Sequence, residues 1–187
     1  MKILRKINVI DIEATCWDNP EERKDQPNEA IEIGITEVDL SNLEINNSKS
    51  VYVIPRNSSI SEFCTKLTGI PPALIAGRGV SFTKAIRVLK QTFRIHNRHW
   101  ISWGDYDKDQ LQRDCDRNNL VYNKVFFKRH TNFKTVFAML YGLPKELGVE
   151  AALTHIGLHF AGQLHSGKDD SFNIARLYVH TLKKFRK

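Results

Sequence analysis

The chain has 187 residues, a length for one domain of ordinary size. Its 41% hydrophobic and 26% charged residues can build and solubilise one core, which excludes a disordered, collagen-like or disulfide-stapled chain. The net charge of +7 suits a polyanionic partner such as nucleic acid, although a solvated basic surface produces the same balance.

In chain order, residues 3–13 come first, with Ile7 and Val9 on one alternating face and Ile10 and Ile12 on the other. A strand that is apolar on both faces belongs in the middle of a sheet. A polar loop over 18–28 precedes the alternation Ile31, Ile33, Ile35, and residues 51–54 follow an expected turn at Asn46-Asn47. These segments predict a three-stranded meander. Ser81 is the expected N-cap of a helix with Phe82, Ile86, Leu89 and Phe93 on one stripe. Residues 100–103 predict a short strand ending at Gly104, and a helix then starts near residues 105–107 with Leu111 and Cys115 inward. Residues 125–127 predict another strand. Val149, Ala152, Leu153 and Ile156 predict a helix stopped near Gly157. The last helix follows Asp169-Asp170 and carries Ile174, Leu177, Tyr178, Leu182 and Phe185. Leading strands followed by alternating strands and helices make an α/β fold with a mixed sheet. No repeat or linker divides residues 1–187, so one domain is expected.

No apolar run approaches the roughly 18 residues that a membrane span requires. Asp11 and Glu13 interrupt the first apolar stretch before a signal-peptide core could form. Cys16, Cys64 and Cys115 are odd in number and widely spaced, which argues against disulfide partners and zinc and for a reducing, cytoplasmic setting.

Asp11 and Glu13 project from one face of a strand, about 6–7 Å apart at their bases. Buried together they repel and resist desolvation, and a hard divalent cation removes both penalties. A strand emerging into solvent at Asp11 is the alternative. Asp105 and Asp107, where a short strand gives way to a helix, read as N-caps or as ligands if that strand end lies beside Asp11. Asp169 and Asp170 open the same alternatives at the last helix. His165 lies in a glycine-containing loop, where it is either an exposed histidine or a general base beside a metal site. The pair His155 and His159 lacks the zinc-protease glutamate, Gly77-Arg78-Gly79 is too short for a dinucleotide loop, and the serines have no nucleophile-elbow context.

Taken in order, Asp11-x-Glu13, Asp107 and His165-x4-Asp170 resemble the DEDDh family of 3′–5′ exonucleases, and within it the ERI-1/KapD-like branch. The resemblance extends through Asp11-Ile12-Glu13-Ala14-Thr15-Cys16-Trp17, the run from Phe63 to Ile70, Gly104-Asp105-Tyr106-Asp107, and the segment from His165 to Ala175. It covers about residues 5 to 184. One departure is Gln163-Leu164, where similar sequences often carry Arg and a further His. The resemblance implies a ribonuclease H-like fold, a mixed five-stranded sheet flanked by helices. It implies that Asp11, Glu13, Asp107 and Asp170 bind two magnesium ions, for which manganese can substitute, and that His165 is the general base. Asp105 and Asp169 become neighbours, most simply helix caps. Ala14 and Thr15 fall where the terminal 3′-hydroxyl is held, and Leu67 and Thr68 where the last nucleotide packs. The implied substrate is nucleic acid, RNA favoured over DNA, hydrolysed by a two-metal mechanism with ions about 3.5–4 Å apart. A non-cleaving binding module and an unrelated magnesium-dependent phosphatase are the competing readings.

Overall fold

The computed structural model describes residues 5–120 and 124–186. Its sheet has five strands in the order β3-β2-β1-β4-β5, formed by β1 (Lys6–Ala14), β2 (Ala30–Asp39), β3 (Glu44–Tyr52), β4 (Trp100–Ser102) and β5 (His130–Asn132). β1 pairs antiparallel with β2 and parallel with β4, β3 extends the antiparallel side, and β5 the parallel side. The expected mixed five-stranded sheet flanked by helices is present. Residues 3 and 4 of the first expected strand lie outside the described residues.

The two apolar faces of β1 explain its central place. Ile10 and Ile12 pack with Phe82, Ile86, Leu89 and Phe93 of α4 (Phe82–Phe93), whose N-cap Ser81 accepts the Lys84 N–H. On the other face, Ile7 and Val9 pack with Leu153 of α8 (Val149–His155) and with Ile174 and Leu177 of α9 (Gly167–Phe185). Side chains alternate along a strand, so Asp11 and Glu13 share the α9 face with Ile7 and Val9.

Residues 125–127 are not a strand. They lie in α6 (Lys124–Lys128), and the fifth strand follows at 130–132. Phe126 buries its ring by stacking on Trp100, centroids 5.0 Å apart, and its carbonyl accepts the Trp100 indole N–H at 3.1 Å. A short apolar run does not reveal whether burial will come from a strand or a helical turn. The expected Asn46-Asn47 turn also moves: both asparagines lie in β3, exposed. The chain reverses over 40–43, where Asp39 accepts the Ser41 N–H at 2.9 Å and Leu43 adopts φ +58°. Four further helices were not foreseen: α1 (Pro20–Arg23), α2 (Glu62–Thr68), α3 (Pro72–Arg78) and α7 (Phe133–Tyr141). The helix expected near 105–107 is α5 (Tyr106–Arg117). Among the described residues no helix is long and apolar enough to cross a membrane.

Candidate active site

The site forms where α9 begins against β1 and β2. Gly34 faces Asp11 across the β1–β2 pair. A Cβ at Gly34 would lie 1.9 Å from the Gly167 carbonyl carbon, so glycine there lets the helix start touch the sheet. Glu32 faces Glu13 in the same register and is almost fully buried. Its carboxylate accepts the N–H of Gly167 at 3.0 Å and of Lys168 at 3.3 Å, while the Ser50 hydroxyl donates to it from β3. Ser166, at the cap position of α9, makes no side-chain cap bond, so Glu32 fills that role from another strand.

This seating brings Asp170, in the first turn of α9, over β1. One carboxylate oxygen from each of Asp11, Glu13 and Asp170 lies within 4.8 Å of the others. Asp107, in the first turn of α5, is buried and accepts the Ile12 N–H at 2.9 Å. Burial, followed by the charges of Asp107 and Asp170, raises Asp11 well above the usual carboxylate range. Burial and Asp170 push Glu13 up to about 8. Burial pushes Asp107 and Asp170 each up to about 7. Asp170 Oδ2 is buried with no hydrogen-bond partner. Three acids packed this closely, one with an unsatisfied buried oxygen and with the buried Asp107 acting on Asp11, form a set of hard donors that fits a divalent cation.

The RNase_T family, described as exonuclease, matches residues 8–178. The chain belongs to that family. It is 32% identical to ERI1 exoribonuclease 2 of Homo sapiens, over 90% of this chain and 27% of that protein. It is 30% identical to 3′-5′ exoribonuclease 1 of Homo sapiens, over 94% of this chain and 52% of that protein. The chain thus spans between about a quarter and a half of these curated relatives. The nuclease domain of 3′hExo, a DEDDh family member bound to rAMP, superposes with a TM-score of 0.86 at 28% identity, covering 97% of this chain and 94% of that one. A 3′-exonuclease solved in 3′-end specific recognition of a histone mRNA stem-loop superposes at 0.87 with 25% identity, covering 99% and 84%.

In this exonuclease fold the remaining expected residues are placed as follows. His165 sits in the loop before α9, exposed and at φ +58°, and does not join the group of Asp11, Glu13 and Asp170. Its backbone N–H and that of Ser166 face Asp170 and pull its pKa down against burial. Asp105 occupies the N-cap position of α5 but makes no side-chain cap bond, and Asp169 lies within the first turn of α9 rather than at its cap. Asp105 accepts from Lys108 Nζ at 2.7 Å and Asn132 Nδ2 at 3.0 Å, and Asp169 accepts the Gln163 N–H at 2.9 Å. Both carboxylates therefore tie in neighbouring segments, because α5 lacks a side-chain cap bond and α9 takes its cap from Glu32.

Thr15 is buried. Its N–H donates to the Glu29 carbonyl and its Oγ1 accepts the Glu29 N–H, both at 2.9 Å, with Ser58 Oγ at 3.0 Å. The Ala14 carbonyl accepts from Cys64 Sγ at 3.6 Å. Thr68 Oγ1 donates to the Cys64 carbonyl at 2.8 Å, while Leu67 beside it is exposed. All three cysteines are free thiols. Glu32 and Gly34 are the structural supports that the sequence reading passed over. Their signal was an acid and a glycine inside an otherwise isoleucine-rich strand.

Proposed function

We propose that this chain is a divalent-cation-dependent 3′–5′ exonuclease that trims RNA ends and releases nucleoside 5′-monophosphates. The observation that carries this reading is the group of Asp11, Glu13 and Asp170, with the buried, unpartnered Oδ2 of Asp170, beside Asp107. Asp11, Glu13, Asp107 and Asp170 hold two magnesium ions, or manganese in their place. Bound there, the ions neutralise the clustered carboxylates and stabilise charge on the phosphoryl oxygens. His165 accepts the proton of the attacking water on its imidazole, which its exposed loop leaves accessible to substrate.

The 3′ end lies against the segment of Ala14 and Thr15 and the exposed side chain of Leu67, which packs on the last nucleotide. Thr15 and Thr68 spend their hydroxyls within the protein, so they shape this wall from beneath. RNA is the favoured substrate, an inference supported by the names of the relatives, and one exonuclease domain occupies the chain. Three free thiols favour a reducing, cytoplasmic setting. Incubating 5′-labelled RNA and DNA oligonucleotides with and without magnesium tests the reading. A magnesium-dependent ladder of shortening products is expected, faster on RNA and absent in Asp170→Asn; internal cuts would overturn it.

A further inference from the structure

We propose that an open groove at the opposite end of the sheet binds the phosphate backbone of the substrate strand upstream of its 3′ end. This inference rests on the exonuclease reading for the identity of the strand. The groove has a volume of about 1230 Å³ and is lined by Arg5, Lys6, Arg94, Arg98, His99 and Arg129, among others. Its position follows from topology. The parallel strands β1, β4 and β5 all begin at this edge, and α4 ends here with Arg94 at its C-cap. The carboxylates Asp11 and Glu13 lie towards the other end of β1. The sheet therefore carries acids at one end of its parallel strands and cations at the other.

Two carboxylates line the groove, Glu37 and Asp39, against five arginine and lysine side chains. Glu37 accepts from Lys6 Nζ at 2.6 Å and also from Arg98, so one buried acid holds two cations side by side. Asp39 is turned to Ser41. The Arg129 guanidinium is oriented by the His96 carbonyl at 3.2 Å. Arg94 and His99 are exposed and make no side-chain hydrogen bond or ion pair among the described residues.

Electrostatics gives this surface a use. At the catalytic end Asp11, Glu13, Asp107 and Asp170 are committed to the cations that neutralise them, so attraction for the body of a strand must come from positive charge elsewhere. Proteins that track a single strand do so through a positively charged groove. From Lys6 to Glu13 the strand rises about 23 Å at roughly 3.3 Å per residue. A stacked nucleic-acid strand at about 3.4 Å per nucleotide spans that rise in about seven nucleotides. Because Lys6 lies on the α4 face of β1 and Glu13 on the α9 face, the path around the sheet needs more than that. A dinucleotide at the carboxylates cannot reach the groove, whereas a strand of about 16 nucleotides can.

The test compares kcat and KM for a dinucleotide and for RNA of about 16 nucleotides, together with the salt dependence of binding in the absence of cleavage. The variants are Arg94→Glu and the combination Arg5→Gln, Arg94→Gln, Arg129→Gln, which leave the Lys6–Glu37–Arg98 arrangement intact. In both variants KM for the long RNA should rise about tenfold or more. The slope of log affinity against log salt should shrink by about 0.7 per lost phosphate contact. Dinucleotide kinetics should stay at the wild-type values, and a DNA strand of the same length should lose as much affinity as the RNA. If the triple variant melts early, Arg94→Glu decides. An unchanged long-strand KM and salt slope would overturn the proposal and leave the groove to a protein partner. An equal loss on both lengths, or a loss confined to RNA, would also overturn it. If the wild type cleaves neither length while Arg94→Glu still weakens long-strand binding, the groove stands and the exonuclease reading falls.

Discussion

The carboxylate of Glu32 accepts the backbone N–H of Gly167 at 3.0 Å, joining the second strand of the sheet to the first turn of its last helix across 135 residues of sequence. Glu32 also faces Glu13 across the β1–β2 pair, so one buried acid fixes the start of α9 beside the strand that carries Asp11 and Glu13. Asp170 is three residues further along the helix, and its place over β1 depends on this bond.

Removing that acceptor should therefore disturb the cation site. Glu32→Ala leaves two N–H groups at the helix start without their acceptor, a loss of about 1–3 kcal/mol for each buried donor left unsatisfied. Glu32→Gln keeps one acceptor oxygen and should retain part of the function. Melting curves with and without magnesium should show the alanine variant losing both base stability and the magnesium-induced rise, with glutamine intermediate. An alanine variant with a lower melting temperature but wild-type magnesium affinity would reduce Glu32 to a stabilising residue.

Gly34 makes a steric prediction that Gly77 controls. A Cβ at Gly34 meets the Gly167 carbonyl group at 1.9 Å, backbone that cannot rotate away, whereas one at Gly77 meets nothing within 4 Å. Gly34→Ala should lose about 1–3 kcal/mol, the usual range for overpacking, and turnover should fall with it as α9 is pushed off the sheet. Gly77→Ala, inside α3, should lose nothing in denaturant titration and gain up to about 1 kcal/mol.

The raised carboxylates give the metal-free protein a defined pH response. Glu13 near 8 and Asp107 and Asp170 near 7 hold protons in the folded chain that they release in the unfolded chain, where ordinary carboxylates titrate near 4. Between about pH 4 and 8 the folded state thus binds more protons, so this contribution to stability is present at low pH and lost as pH rises. Divalent cations act in the opposite sense, binding the deprotonated site more tightly as pH rises. The gap in melting temperature between magnesium-containing and metal-free protein should widen from pH 5 to pH 8. Asp170→Asn should narrow it. A gap that does not change with pH would place the cation elsewhere.

His165 and Asp170 are five residues apart and should separate cleanly in a mutant comparison. His165→Ala should lower turnover by about 10²–10⁴-fold, the usual contribution of a general base, while magnesium-induced stabilisation and RNA binding remain. Asp170→Asn should reduce turnover and magnesium stabilisation together. Turnover near the wild-type value in His165→Ala at saturating magnesium would remove the histidine from the proton path.

Much of the architecture is legible in residue order because strands and helices impose short periods. Ile7 and Val9 against Ile10 and Ile12 mark a central strand, and the same alternation assigns Asp11 and Glu13 to one face before any neighbour is known. Ser81 caps α4 through a bond to Lys84, three residues away, so local order suffices there too. The apolar run at Phe126 was misread because its burial partner, Trp100, is remote in sequence, and either a strand or a helical turn could reach it. Asp105 does stand at the N-cap of α5, but neither it nor Asp169 makes a side-chain cap bond, for a related reason: each carboxylate accepts from a donor outside its own helix turn, Asn132 or the Gln163 N–H. The closing of the carboxylate group was decided only in three dimensions. It requires the β1–β2 register that sets Glu32 opposite Glu13 and the Gly34–Gly167 approach that seats α9. The basic groove has the same origin, since Lys6, Arg98 and Arg129 meet because three parallel strands begin at one edge. Residue order carries the chemistry and the face of each side chain, but distances between segments are set by strand register and close packing, which depend on partners far along the chain.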